Sequence, residues 1–96
     1  MNKMNKVEKK MVEKIELDIK WWLNPDAYAD NVEKEKRLRW LEHDYRKIQG
    51  ELNMLLWFMT DKANFEGSED EKLHQDLVDK SFKEYLDTKH YIEDHC

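Results

Sequence analysis

Hydrophobic residues recur at intervals of three and four along three separate stretches of the chain. This spacing places them on one face of an α-helix, because successive helical residues point about 100° apart. The pattern therefore predicts three amphipathic helices, at about 4–24, 31–60 and 69–95. We expect one all-α domain over residues 1–96, because a chain of this length holds a single small core.

The first pattern forms one stripe of apolar residues that leads to a proline. Its members are Met4, Val7, Met11, Ile15, Ile19 and Trp22, with Val12 and Leu23 beside them. The spacing predicts Trp22 as the core residue that closes this stripe. Pro25 excludes the α conformation at the residue before it, so the helix is expected to end near Asn24.

Trp21 stands next to Trp22 in the sequence and therefore points away from the stripe. It shares its side of the helix with Leu17, one turn earlier. The two residues predict a second, smaller apolar surface on helix one, flanked by Lys14 and Asp18.

The second pattern is the most regular, with three heptads of apolar positions. These are Leu38, Leu41, Tyr45, Ile48, Leu52, Leu55 and Met59. Asp30 with Glu33 three residues later resembles a capping box that opens this helix. Gly50 falls on the opposite face, so the helix is expected to run without a break to about Thr60.

Further apolar residues of helix two lie off this stripe, on a line that also carries charge: Trp40, Met54 and Phe58, with Lys47 and Glu51. The last turns, NMLLWFM, add Trp57 and are apolar nearly all round. A helix packed on one side only does not explain such a segment. We therefore expect several neighbours to cover this end of the helix.

The segment DKANFEG predicts a loop in which Gly67 ends the helical pattern. Ser68 and Glu71 then form a capping box for helix three. Its apolar face comprises Leu73, Leu77, Val78, Phe82, Tyr85, Leu86 and Ile92. A loop of this length returns helix three antiparallel to helix two. The expected fold is an antiparallel hairpin of two long helices with helix one packed across it, a three-helix bundle that dimerises.

The surplus apolar residues allow two interpretations. They are either buried inside the bundle or form an interface, because a small monomer rarely exposes large aromatic patches. Self-association through helix two is the simplest way to cover its apolar end. The residues that we predict as protein-binding anchors are Leu17, Trp21, Trp40, Trp57 and Phe58.

Charge is distributed unevenly along the chain, whose formal net charge is −5. Residues 1–24 carry six lysines and four acids, residues 25–60 six bases and seven acids, and residues 61–96 five bases and eleven acids. No segment has the clustered bases that direct nucleic-acid binding requires. The acidic last third favours a protein partner with a basic surface.

The cysteine content, together with the lack of a membrane-spanning stretch and of a signal peptide, predicts the cellular compartment of the protein. The chain holds one cysteine, Cys96, which excludes an internal disulfide and fits a reducing cytoplasm. The sequence lacks an uncharged apolar stretch of membrane-spanning length and a signal peptide. We expect a cytoplasmic protein that does not bind membranes.

Candidate catalytic chemistry is sparse. Glu71 with His74 and Asp87 with His90 have a carboxylate-x-x-histidine spacing found in helical metal sites. Both pairs lie on helix three, roughly 24 Å apart along its axis, so they cannot share one metal. The sequence therefore predicts no catalytic residues, no metal site and no cofactor.

These observations favour a small regulatory or inhibitor protein that binds a protein partner stoichiometrically, as a homodimer and without enzyme activity. Its composition is common among proteins encoded by phages and mobile elements. One alternative is an acidic nucleic-acid mimic that blocks a nucleic-acid-binding protein, although the lysines of helix three are expected to pair with its acids. Another is a helical enzyme subunit with a His/carboxylate metal site.

Overall fold

The computed structural model describes residues 6–24 and 33–95. These ranges form four α-helices: α1 (Lys6–Trp22), α2 (Lys34–Met59), α3 (Lys62–Phe65) and α4 (Glu69–His95). Every regular element of the described ranges is helical, which confirms the all-α prediction. Met4, Pro25, Asp30 and Cys96, on which parts of the sequence prediction rest, lie outside the described residues.

The buried stripe of α1 consists of Val12, Ile15 and Ile19. The prediction that Trp22 closes this stripe is wrong, because Trp22 is only half-buried and Leu23 is fully buried in its place. The helix ends at Trp22, and the chain then brings Leu23 against α4, where the Thr88 hydroxyl donates a hydrogen bond to the Leu23 carbonyl.

Two residues of the predicted apolar faces are also about half exposed, namely Val7 on α1 and Phe82 on α4. Val7 lies about 100° from the centre of the stripe that is actually buried, so it faces away from the core. The Phe82 ring sits beside Tyr45 of α2, with 6.4 Å between the ring centroids, at the edge of the helix interface.

The heptad stripe of α2 is the centre of the core. Five of its members are buried: Leu41, Ile48, Leu52, Leu55 and Met59. The other two, Leu38 and Tyr45, are half-buried. Gly50 meets no neighbouring atom where a side chain would begin, in agreement with its predicted outward position. Glu33, predicted inside the first turn, is instead the N-cap residue, and its side chain makes no capping hydrogen bond.

The predicted loop between the long helices contains the one-turn helix α3. Asp61 caps it, with its carboxylate accepting from the Ala63 N–H at 3.4 Å. Gly67 then adopts a φ of +76°, a left-handed conformation that glycine reaches without a steric penalty. This residue ends the turn and directs the chain into α4.

Ser68 caps α4, as the sequence predicts. Its hydroxyl oxygen accepts from the Glu71 N–H at 3.3 Å. The Glu71 carboxylate accepts from the Gly67 N–H at 2.8 Å, one residue before the partner that a standard capping box uses. These two hydrogen bonds, between residues three and four apart in the sequence, determine where α4 begins.

Contacts between α2 and α4 run in opposite directions along the two helices. Lys34 Nζ donates to the Glu93 carbonyl at 2.9 Å, and His74 Nε2 lies 3.0 Å from the Leu52 carbonyl. Between them, the Tyr45 ring stacks on Tyr85 with 4.3 Å between centroids. Rising numbers on α2 therefore meet falling numbers on α4, so the two helices are antiparallel.

Helix α1 packs on α2 beside α4, also in the antiparallel direction. Lys14 lies near Glu51, while Trp22 lies near Lys47. Because α1 and α4 both flank α2, they touch each other less than either touches α2. A groove between α1 and α4 results.

Candidate functional site

All five predicted anchor residues are on the surface of the described structure. Their exposed fractions are 54% for Leu17, 60% for Trp21, 49% for Trp40, 84% for Trp57 and 54% for Phe58. The helices that carry them are folded, and their buried sides are filled by other residues. The core packing of this chain therefore leaves these side chains uncovered.

The exposed residues fall into separate places. Leu17 and Trp21, one turn apart on α1, form what we call the α1 patch. Three residues near the end of α2 form the α2 patch: Met54, Trp57 and Phe58. Trp40 lies near the opposite end of α2, about 20 Å from Met54 along the axis. The structure does not combine the five anchors into one continuous site.

The two adjacent tryptophans have different surroundings. The Lys47 ammonium of α2 lies 4.2 Å from the centroid of the Trp22 ring, close enough for a cation–π interaction between the two helices. The Trp21 ring has the Lys20 ammonium at 5.9 Å and is otherwise open on its outer side. Trp22 thus contributes to the packing of α1 on α2, whereas Trp21 adds exposed apolar surface.

The groove between α1 and α4, which we call the α1/α4 groove, has a volume of about 670 Å³. Its floor includes Ile19 and its edge includes Leu17 of the α1 patch. Charged residues of both signs form its rim: Glu13, Glu16 and Lys20 from α1, and Lys80 and Glu84 from α4. An apolar floor with a mixed charged rim is suited to a helix or peptide that carries both kinds of group.

A carboxyl pair, Asp18 of α1 and Glu51 of α2, lies where these two helices meet. Asp18 is buried, and Asp18 Oδ2 and Glu51 Oε2 are both buried without a hydrogen-bond partner. The two carboxyl groups lie close enough to hydrogen-bond when Glu51 carries a proton. The pair is thus a contact between α1 and α2 that depends on the protonation of Glu51.

Burial, followed by the hydrogen bond and the charge of Asp18, raises the pKa of Glu51 to about 7. The positive charges of Lys14 and Lys47 oppose this rise without cancelling it. Lys14 Nζ is 3.8 Å from Glu51 Oε1 and remains largely in solvent. Glu51 therefore changes its protonation near neutral pH.

Sequence reasoning placed Asp18 and Glu51 beside the apolar surfaces but did not predict that they meet. A signal was present for Asp18, since it follows Ile15 by three residues and precedes the end of the buried stripe. The position of Glu51 depends on which side of α2 receives α1, and a single sequence does not determine this.

The candidate metal-binding residues have other roles in the described structure. His74 hydrogen-bonds the Leu52 carbonyl across the α2 and α4 interface, and Glu71 caps the start of α4. His90 and Asp87 are exposed. Within residues 6–24 and 33–95, no group of three or more His, Cys, Asp or Glu side chains is placed to hold a metal ion.

The acids of α4 include one that is buried. Asp70 lies at the N-terminus of α4, where the helix dipole favours negative charge. The helix contains four lysines that were expected to pair with its acids. Among the described residues, no ion pair within 4.0 Å joins two side chains of α4.

None of the described helices is both long and apolar enough to cross a membrane. Comparison of the chain with protein-family models, with curated proteins and with solved structures gives no match. Functional inference therefore rests on the physical features of the surface.

Proposed function

We propose that this chain is a small regulatory or inhibitor protein that binds a protein partner stoichiometrically through the α2 patch. In this proposal it is a single cytoplasmic domain, a three-helix bundle that works as a homodimer, without catalytic activity of its own. The observation that carries the proposal is the exposure of Met54, Trp57 and Phe58 together on an ordered helix.

Burial of an exposed aromatic side chain at an interface is favourable by roughly 25 cal/mol per Å² of apolar surface removed from water. Trp57 is 84% exposed and stands beside Phe58, so the pair offers a compact apolar anchor. Tryptophan is enriched among the few residues that dominate binding energy at protein interfaces. The same α2 turns bury Leu55 and Met59, so the fold already holds the anchor in place.

The charge next to the α2 patch supports a partner of particular chemistry. Residues 61–71, which follow α2 directly, contain five acids and one lysine. The helix dipole of α4 accounts for some of this acidity, because Glu69, Asp70 and Glu71 occupy its first turn. The exposed acids in this segment still favour a partner with an apolar pocket bordered by basic residues.

The experiment is quantitative capture of the partner from the native host with tagged protein, followed by the mass of the purified complex. The wild-type chain is compared with Trp57→Ser/Phe58→Ser and with Phe82→Ser, a control that removes a similarly exposed aromatic from α4. We expect a complex of fixed stoichiometry whose affinity falls at least ~10-fold in the double variant and is unchanged in the control. Equal binding by all three proteins would refute the α2 patch as the site.

A nucleic-acid mimic remains a second candidate because of the unpaired charges on α4. The acids of this helix are exposed apart from buried Asp70 and half-buried Glu84, and no ion pair joins them to its lysines in the described chain, so the exposed acids are available to a basic cleft. Mimicry predicts binding to a nucleic-acid-binding protein that weakens steeply as salt rises. Binding that is indifferent to salt would exclude it.

A further inference from the structure

Helix α1 carries an acidic residue inside the surface that it buries. Asp18 stands between Ile15 and Ile19 among the buried residues of this helix, and only 8% of its surface is exposed. It lies against Glu51 of α2, and Asp18 Oδ2 and Glu51 Oε2 are both buried without a hydrogen-bond partner. A buried acceptor without a donor costs free energy, so this contact is unfavourable unless a hydrogen is supplied to it.

The charges around this carboxyl pair come from both helices. Lys14 of α1 has its ammonium 3.8 Å from Glu51 Oε1, but 68% of its side chain is exposed, so solvent weakens the attraction. Lys47 of α2 attracts Glu51 as well. On α4, Lys80 and Glu84 line the α1/α4 groove instead. The lysines thus reduce the repulsion within the pair, but they give no hydrogen bond to its two buried oxygens.

A proton on Glu51 supplies the missing donor, because a protonated carboxyl group donates one hydrogen bond. When this proton leaves, two carboxylates face each other in a contact from which water is largely excluded. Water hydrates both groups only if the helices that carry them move apart. Ionisation of Glu51 therefore favours separation of α1 from α2.

The helix that separates is α1, because α2 and α4 are joined more extensively to each other than α1 is to either of them. The hydrogen bond between His74 and the Leu52 carbonyl lies inside this α2/α4 hairpin and does not involve α1. The hydrogen bond from Thr88 reaches only Leu23, which lies beyond the last residue of α1. The helix itself depends on its short apolar stripe and on the carboxyl pair.

We propose that the contact between Asp18 and Glu51 is a pH-dependent switch, which keeps α1 docked on the α2/α4 hairpin while Glu51 is protonated and releases it when Glu51 ionises. Release opens the buried stripe of α1, and the side of the hairpin beneath it, to solvent. This inference is independent of the proposed binding role of the α2 patch, whose Trp57 and Phe58 are exposed while α1 is docked.

The size of the effect follows from the difference in proton affinity between the two states. Burial, together with the contact with Asp18, raises the pKa of Glu51 from 4.5 to about 7 in the docked state. Docking is therefore strongest below about pH 4.5 and weakens as the pH rises through about 7. Between pH 5 and pH 8 the equilibrium constant for docking should fall by roughly 50- to 100-fold.

The first test is native-state amide hydrogen exchange of the full chain at pH 5 and pH 8, corrected for the intrinsic exchange rates. The amides of Ile15 and Ile19 report on α1, and those of Ile48 and Leu52 report on the hairpin. We expect opening at the α1 amides to increase by roughly 50- to 100-fold, and these amides to stay less protected than those of α2 at both pH values. Equal protection of α1 and α2 at pH 8 would show that α1 leaves only on global unfolding and would overturn the inference.

Conservative variants assign the effect to the carboxyl pair. Glu51→Gln has no proton to release, so opening at the α1 amides should no longer depend on pH. Asp18→Asn offers an N–H to ionised Glu51 and should reduce the dependence. Glu16→Gln, at an exposed position two residues from Asp18, is the matched control and should behave as the wild type. The full wild-type dependence in Glu51→Gln or in Asp18→Asn would contradict the switch.

The proton itself is observed through the carboxyl carbon chemical shift of Glu51. We expect a titration midpoint of about 7 in the folded chain, and a midpoint below about 5.5 would overturn the inference. Hydrogen exchange at pH 8 is then repeated with excess MgCl₂, which should leave the α1 amides unchanged. Restored protection would show that a cation rather than a proton stabilises the pair, and would also overturn it.

Discussion

The carboxyl group of Glu51 on α2 lies against that of Asp18 on α1, and a buried oxygen of each has no hydrogen-bond partner. Burial, together with the contact with Asp18, raises the pKa of Glu51 from 4.5 to about 7. A carboxyl group with a higher pKa in the folded chain holds its proton more tightly there than in the unfolded chain. Its stabilising contribution is complete below about pH 4.5 and is lost as the pH rises through about 7.

Glu51→Gln should therefore stabilise the protein at pH 8 and change it little at pH 5. Between these values the wild type should lose about 2–3 kcal/mol relative to the variant, because the variant has no proton to release at this site. Urea unfolding at both pH values measures the difference. Glu35→Gln, at an exposed position of α2, should keep the wild-type pH profile. A Glu51→Gln variant that loses as much stability between pH 5 and pH 8 as the wild type would show that Glu51 does not release a proton in this range.

Leu55→Ala should lower the free energy of unfolding by about 2–5 kcal/mol, since it removes a fully buried side chain from the heptad stripe of α2. Chemical denaturation followed by circular dichroism measures this loss. A change below about 1 kcal/mol would mean that α2 does not pack through this stripe.

Thr88→Val should cost about 1–3 kcal/mol. The substitution keeps the shape of the side chain but removes the hydroxyl that bonds the buried Leu23 carbonyl, leaving that acceptor unsatisfied. Thermal unfolding checks the size of the effect. Thr88→Ser, which retains a hydroxyl, should recover much of the loss; equal destabilisation by both substitutions would assign the effect to the lost methyl group.

The two glycines should respond to alanine with opposite signs. Gly50→Ala should stabilise the chain by roughly 0.5–1 kcal/mol, because Gly50 lies inside α2 with open space where the methyl group would go. Gly67→Ala should destabilise it by about 1–2 kcal/mol, because its φ of +76° strains any side chain. Paired denaturation curves test both, and equal signs would contradict the turn geometry at Gly67.

The fold class followed from the sequence because the apolar spacing of α2 and α4 is regular over many turns. The cap at Ser68 and the turn at Gly67 were also readable, since both depend on local chemistry. The end of α1 was misread at Trp22, because Leu23 closes the buried stripe in its place. Leu23 is bonded by Thr88 and the Trp22 ring is contacted by Lys47, and both partners are far away in the sequence.

The sequence predicted the candidate binding surfaces less completely than it predicted the fold class. Angular position indicated that Trp21 and Phe58 lie off the core stripes, and the structure exposes both. Two features depend on how α1 packs on α2. One is the contact between Asp18 and Glu51, and the other is the α1/α4 groove. Such tertiary placement is not encoded in the periodicity of any single helix.

The claim that the α2 patch serves binding rather than folding is tested most directly by the free energy of unfolding of Trp57→Ser/Phe58→Ser. The account predicts a value within about 0.5 kcal/mol of the wild type, as for other exposed substitutions. A loss of about 3 kcal/mol or more, the size of a core truncation, would show that these rings hold the fold together and would contradict the account.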